Sequence, residues 1–399
     1  MNPSFEPPNR FIPFSRPSIG TEEEAAVIDV LRSGWLTTAE RTLRFEDEFA
    51  TFVGAKHAIA LCSGTAGLHL ALEAIGIRPG DRVVTTPYTF TATAEVIRYL
   101  GADPLFVDIE PDSYNIDPER VAEALGDERV KAVIPVHLGG DICRIERLLE
   151  LTGKRGIPII EDSAHAFPSR TDWGYAGTAG VAGMYSFYAN KTITTGEGGM
   201  IVTDDDELAK RIRVMRLHGI DRTIWDRYTQ TEVVPEARSW EYDVVAPGFK
   251  YNMPDTAAAI GLVQLKRAEE LLENRRTIAL RYIENLQDCD FLECPRDTRG
   301  HAWHLFLILL KLETLEIGRD QFIDALTERG IGTSVHYKPL HLMSYYRDRY
   351  SLLPESYPNA IARYSRVISL PIYPGLSIGD TDTIVAAIRE IGDGARTGR

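Results

Sequence analysis

The residues best suited to chemistry lie in two short runs. IPIIEDSAHA (157–166) closes a very apolar stretch with Glu161 and Asp162. A carboxylate at the end of a buried strand is costly unless a cation or a metal faces it, and a protonated heterocyclic nitrogen is one such cation. The ordinary alternative is a helix cap, since Asp and Ser both cap well. His165, just beyond, reads equally as a hydrogen-bonded structural histidine. The second run is SFYANKTITTGEGG (186–199), in which Lys191 follows a buried strand among Asn, Thr and Gly. Desolvation lowers the pKa of such an amine and makes it nucleophilic, as a Schiff-base lysine needs. A lysine taken alone reads as a solvated surface residue. The interval changes that reading: 29 positions (191 minus 162) leave room for one short crossover, which puts both groups at the same sheet edge.

Two further runs sit where ligands bind in open α/β sheets, just after a strand. Ser63–Gly64–Thr65–Ala66–Gly67 joins a strand to a helix. Small residues admit close backbone approach, and the helix N-terminus offers N–H groups to an anion, although such turns are common in α/β proteins. Tyr88–Thr89–Phe90–Thr91 follows RVVTT, and an aromatic there either stacks on a flat ring or packs on its own helix. Gly177, Gly180 and Gly183 form G-x-x-G-x-x-G, which lacks the dinucleotide spacing and precedes a strand.

The elements that must position these residues follow from hydrophobic pattern. Strands are predicted at 57–62, 82–86, 104–108, 131–137, 157–162, 184–188 and 199–203, with helices such as 66–75 and 92–100 between them. The alternation, with nearly continuous apolar strands, predicts an α/β domain with a mostly parallel seven-stranded sheet covered on both faces. An apolar stripe through Ala258, Leu262, Leu265 and Leu272 predicts one long helix over 255–286. Beyond it, a strand over 301–312, a helix over 319–329, a strand over 367–370 and a helix over 380–391 predict a smaller α+β domain. The expected division is 1–254 with an N-terminal arm, 255–286 as connecting helix, and 287–399, with 223–247 an irregular insertion.

The chain has 399 residues and a net charge of -14, which argues against a nucleic-acid or anionic-membrane surface. Four cysteines without a C-x-x-C pair make a disulfide framework or a zinc site of usual spacing a poor fit, and no metal is expected. The Pro-rich start lacks a signal-peptide core, and no apolar run is long enough to span a membrane, so a cytoplasmic protein is expected.

In order, these runs give a phosphate turn, a stacking aromatic, a carboxylate for a pyridine nitrogen and a Schiff-base lysine. With PFSRPSIG, SGWLTT, CSGTAGLHLAL, TPYTFTATA, LFVDIEPDSYNID, RLHG, APGFKYNMPDTAAAIGLVQL, AWHLF, GIGTSVHYKPLH and SLPIYPG, the chain resembles the DegT-type nucleotide-sugar aminotransferases over nearly its whole length. Within the family it most resembles enzymes that aminate C4 of a UDP-linked 4-keto sugar, such as the UDP-4-amino-4-deoxy-L-arabinose aminotransferases. The resemblance implies the aspartate aminotransferase-like (fold-type I) architecture and pyridoxal 5'-phosphate, which passes through pyridoxamine 5'-phosphate. It implies L-glutamate as donor, 2-oxoglutarate as its product, a nucleotide-linked keto sugar as acceptor and a homodimer that shares its active sites.

Residue by residue, it implies that Lys191 binds the cofactor covalently and shuttles the proton, and that Asp162 holds the pyridinium N–H. His165 would touch the ring face or phenolic oxygen, and Phe90 would stack. Gly64, Thr65 and Ser186 would bind phosphate, with Asn252 reaching the neighbouring subunit's cofactor. Trp35, Thr37, His336, Tyr337 and Lys338 would line the sugar-nucleotide pocket. Two stretches depart from the family pattern: LGGDICRIERL after His137, and 168–183. Relatives that dehydrate sugars replace the lysine, usually by His, which Lys191 argues against; a 3-keto dTDP-sugar is an alternative acceptor.

Overall fold

A computed structural model describes residues 11–221 and 241–397. Its apolar runs form β1 (His57–Leu61), β2 (Arg82–Thr85), β3 (Asp103–Phe106), β4 (Val130–Ile134) and β5 (Ile160–Asp162). A short hairpin, β6 (Arg170–Thr171) and β7 (Gly174–Tyr175), precedes β8 (Ala182–Ser186) and β9 (Gly199–Thr203). The seven strands expected in one sheet are hydrogen-bonded as four, in order β1-β9-β8-β5, and three, in order β3-β2-β4. Parallel bridges Val133–Ile159 and Val136–Asp162 join β4 to β5. Among the described residues only β9 runs antiparallel to its neighbours in these strands.

Strand alternation distributes the core. On β1 and β9, Ile59, Leu61 and Ile201 face one cluster with Leu68, Leu72, Ile212 and Met215 from helices Gly64–Ala74 and Asp206–Met215. Ala58, Ala60, Met200 and Val202 face the other cluster, with Phe45, Phe49, Leu262 and Leu265 from helices Glu40–Val53 and Asp255–Lys266. Both faces are therefore dry, which is why these strands read as unbroken apolar runs.

The long helix expected over 255–286 is two helices, Asp255–Lys266 and Ala268–Leu286, broken at Arg267. The break resets the phase of the stripe, so Leu271 is buried where Leu272 was expected. The second helix then runs from one core to the next: Leu271 packs with Phe45's cluster, while Ile278, Tyr282 and Leu286 pack with Phe306.

The remaining strands, β10 (Leu292–Glu293), β11 (Phe306–Leu310) and β12 (Val367–Leu370), form an antiparallel sheet in that order. The strand expected over 301–312 starts later because Trp303 turns with φ +48°. On β11, Phe306, Ile308 and Leu310 face the core beneath helices Arg319–Glu328 and Ile378–Gly394. Leu307 and Leu309 face Tyr88, Phe106 and Val136 of the larger sheet's carboxyl end. One strand thus ties the two layers together. Of the irregular stretch 223–247, residues 223–240 lie outside the described residues, as does the start of the Pro-rich N-terminus. No helix among the described residues is long and apolar enough to cross a membrane.

Candidate active site

Asp162 ends β5 and faces a cavity of about 470 Å³ at the carboxyl edge of the sheet. The carboxylate accepts from Thr93 Oγ1 at 2.8 Å and from the Ala164 N–H at 3.2 Å. Burial pushes its pKa up, and the Thr93 bond offsets this only in part. A cation in the cavity would relieve the remainder.

β8 lies parallel to β5, and after Ser186 its chain turns so that Lys191 enters the same cavity. Burial lowers the amine to about pKa 7, against the pull of the Asp162 carboxylate. Near neutral pH about half of such an amine is unprotonated and nucleophilic, against well under about 1% of an ordinary lysine.

The third wall is the N-terminus of helix Gly64–Ala74. Ser63 Oγ accepts from the Ala66 N–H at 3.1 Å, which leaves the first N–H groups, of Gly64 and Thr65, for a ligand. Gly64 packs closely: a Cβ there would lie 2.7 Å from Met184 Sδ and 3.2 Å from Ser186 Cβ, so the Met184 side chain would have to shift. Ser186 lines this end as well.

At the opposite rim stand His165, His336 and Tyr337. Burial holds His165 neutral, and its Nδ1 accepts the Gly139 N–H at 3.3 Å. Nε2 then carries the proton and donates to Tyr337 Oη at 3.1 Å. That leaves the Tyr337 O–H proton available to another acceptor. His336 pairs with Ser369 Oγ at 2.8 Å. Phe90 lines the cavity but is 58% exposed, with its ring 6.1 Å from that of Tyr337.

Four of the expected residues do not line this cavity within one chain. Asn252 Nδ2 donates to Thr38 Oγ1 at 2.6 Å, and Thr38 Oγ1 donates to the Met253 carbonyl at 2.6 Å. Asp255 accepts from the N–H groups of Ala39, Arg41 and Thr42. These bonds lash the loop that carries Trp35 and Thr37 to the Asn252–Asp255 segment, away from Lys191. Lys338 is exposed beside Tyr337.

Other participants were not singled out in the sequence. Thr93 would be found only by noticing that its hydroxyl, in the first turn of the helix Ala92–Tyr99 after β2, faces the end of β5. His304 lies with its ring 4.4 Å from that of His165. The departing stretches also acquire roles. Gly139 in the first supplies the N–H to His165. Gly177 and Gly180 in the second, with Ala179, donate to Glu161. Gly177 holds φ +98°, and a Cβ on Gly180 or Gly183 would collide with the carbonyl oxygen of Ile159 or of Gly177, which explains that glycine pattern without a nucleotide.

The site fits pyridoxal phosphate in three places: a buried carboxylate short of a cation, an amine of lowered pKa, and a glycine-cradled helix N-terminus. Comparison with known proteins agrees. The DegT/DnrJ/EryC1/StrS aminotransferase family model matches residues 17–389, and the chain belongs to that family. It is 44% identical over 390 residues to the spore coat polysaccharide biosynthesis protein SpsC of Bacillus subtilis, covering 97% of this chain and 98% of that one. The putative sugar aminotransferase Spr1654 from Streptococcus pneumoniae, solved in PLP and PMP forms, superposes with TM-score 0.88 at 32% identity. That match covers 96% of this chain and 98% of Spr1654 in its PMP form. Helicobacter pylori PseC, an aminotransferase involved in the biosynthesis of pseudoaminic acid, gives TM-score 0.88 at 29% identity over 96% of this chain and all of PseC. The architecture is that of fold-type I, and the protein is a PLP-dependent sugar aminotransferase.

Proposed function

We propose that the enzyme transfers an amino group from L-glutamate to a nucleotide-linked keto sugar, a UDP-4-keto sugar aminated at C4, for cell-surface glycan synthesis in the cytoplasm. The observation that carries the reading is the convergence of Lys191 and Asp162 on one cavity beside the Gly64 turn. The names of SpsC and PseC, a coat polysaccharide protein and a sugar-acid pathway aminotransferase, support a glycan precursor as acceptor.

Pyridoxal phosphate, when bound, supplies the electron-withdrawing ring that makes the hydrogen on the amino-bearing carbon acidic. Asp162 holds the ring N–H and keeps it protonated. Gly64, Thr65 and Ser186 hold the phosphate, and Phe90 covers the ring. Lys191 Nζ would take the proton from the donor's α-carbon and deliver it to the carbon on the far side of the amino nitrogen; on the sugar the same amine would run the transfer backwards. One group serves as base and acid because its pKa lies near 7. His165, fixed as the Nε2–H tautomer, orients Tyr337 and does not itself shuttle protons. His336, Tyr337 and Lys338, with Trp35 and Thr37, would recognise the sugar nucleotide.

The active form is a homodimer in this reading. Phe90 and Tyr188 line the cavity yet are 58% and 50% exposed, so a second chain would complete the wall, with Asn252 reaching across. Lys191 itself favours amino transfer over dehydration, for which related enzymes lack the lysine.

The test is spectroscopic. Adding L-glutamate to the holoenzyme should replace the visible cofactor band with the pyridoxamine band. A panel of UDP-4-keto and dTDP-3-keto sugars should then restore it selectively, with UDP-4-keto sugars fastest. An unchanged band with glutamate removes the donor; recovery only with a 3-keto dTDP-sugar removes C4 and UDP together.

A further inference from the structure

Among the described residues, Arg275 is a guanidinium 1% exposed that forms no ion pair with a carboxylate. The contrast is Arg216, also buried, which is paired with Glu46. Arg275 instead gives its N–H groups to carbonyl oxygens. It reaches Ile372 at 2.9 Å, Trp303 and His304 at 3.4 Å each, and Asn190 at 3.3 Å. Its Nε has no partner. A buried charge held this way adds little to stability, because well-packed apolar residues serve at least as well. Burial lowers its pKa to about 10, so it stays charged at neutral pH.

Asn190 is the residue before Lys191, and His304 carries the ring that packs on His165. One guanidinium therefore ties the root of the reacting lysine to the segments before β11 and after β12. We propose that Arg275 is a positioning residue for Lys191, clamping the Asn190 carbonyl and setting an unneutralised positive charge behind the amine. The inference rests on the reading of Lys191 as the reacting amine.

The groups around Lys191 make the charge count. Asp162, Arg275, His165, His304 and His336 act on it from the surrounding elements. Burial pushes all three histidines down, His336 to about 4 and His165 and His304 well below the ordinary range, so all are neutral at pH 7. Of these five, only Asp162 and Arg275 are then charged, and they oppose each other: the carboxylate favours the ammonium, the guanidinium disfavours it. Glu197 also lines the cavity.

The experiment is pH-dependent acetylation of Lys191 in the cofactor-free protein, read by peptide mass spectrometry, beside kcat and KM of the holoenzyme. In the native protein the labelling midpoint should fall near pH 7. Arg275→Met should raise it by about one pH unit and cut kcat about tenfold at pH 7, with KM for the sugar within about twofold. Arg275→Lys keeps the charge but cannot span four carbonyls, so the midpoint should hold while kcat falls severalfold. A folded Arg275→Met variant with native midpoint and kcat would overturn the proposal. If that variant does not fold, native kcat in Arg275→Lys overturns it instead. A native-protein midpoint near the ordinary lysine value of 10.5 sinks the reading of Lys191 itself, separately from the role of Arg275.

Discussion

Glu161 and Asp162 are neighbours on one strand, both buried, with opposite surroundings. Adjacent strand residues face opposite sides of a sheet. Glu161 faces a turn whose N–H groups of Gly177, Ala179 and Gly180 all donate to it, with His137 Nε2 at 2.9 Å. Burial pushes its carboxyl up, but the His137 bond and the turn's N–H groups more than reverse that, leaving it below the ordinary range. Asp162, facing the cavity, has one hydroxyl and one N–H, and burial leaves it above that range. The satisfied carboxylate organises structure, while the undersatisfied one has capacity left for a ligand. Unsatisfied acceptors are costly in a dry interior, so a carboxylate kept short of donors marks a place where something else is meant to bind.

Four substitutions break or sharpen this contrast. Lys191→Ala should have the largest effect, lowering turnover by at least about 10⁴-fold in a folded protein, because the cavity side loses its proton carrier. Measurable steady-state amino transfer above about 1% of native would remove Lys191 from the mechanism. Next, Asp162→Asn keeps the size and loses the charge. It should lower kcat by about 10²–10³-fold and weaken cofactor retention on dialysis, with the melting curve of the cofactor-free protein unchanged or raised.

Glu161→Gln is the counterpart. It turns an NH₂ toward backbone N–H groups and should cost about 2–4 kcal/mol in urea unfolding, while kcat per folded molecule stays within about twofold. The sign follows from its lowered pKa: its contribution is complete above the ordinary value of 4.5 and disappears as pH falls through the folded value. If Glu161→Gln cost activity and spared stability, the division of roles between the two carboxylates would be wrong. The smallest effect is Thr93→Val, which removes one bond to Asp162 and should weaken cofactor binding roughly tenfold, measured by equilibrium titration of the cofactor-free protein.

Much of the site was legible because it follows strand ends. Asp162, Lys191, the Ser63–Gly67 turn, Phe90 and His165 all belong to runs where an apolar strand gives way to small or polar residues, and the sheet brings those ends to one edge. What was not legible depended on distant partners. Thr93 reads as an ordinary first-turn threonine until Asp162, 69 positions away, is beside it. Arg275 and Arg276 are adjacent and alike in the chain, yet Arg275 is enclosed by carbonyls while Arg276 lies 3.7 Å from Asp297 at the surface. The helices Thr21–Ser33 and Glu40–Val53 were not read either: in the second, the apolar positions are interleaved with charged residues, and its burial comes from Phe45 and Phe49 meeting β1 and β9 residues.

The sequence by itself determined the α/β alternation, the order of the chemical groups along it and the family to which they belong, because strand period, glycine turns and apolar runs are local properties. The tertiary structure alone decided which distant donors surround each of two adjacent carboxylates, which of two adjacent arginines is buried, and which tautomer His165 must hold. Each of those depends on which backbone N–H or carbonyl arrives from a distant segment, and no local pattern encodes that arrival.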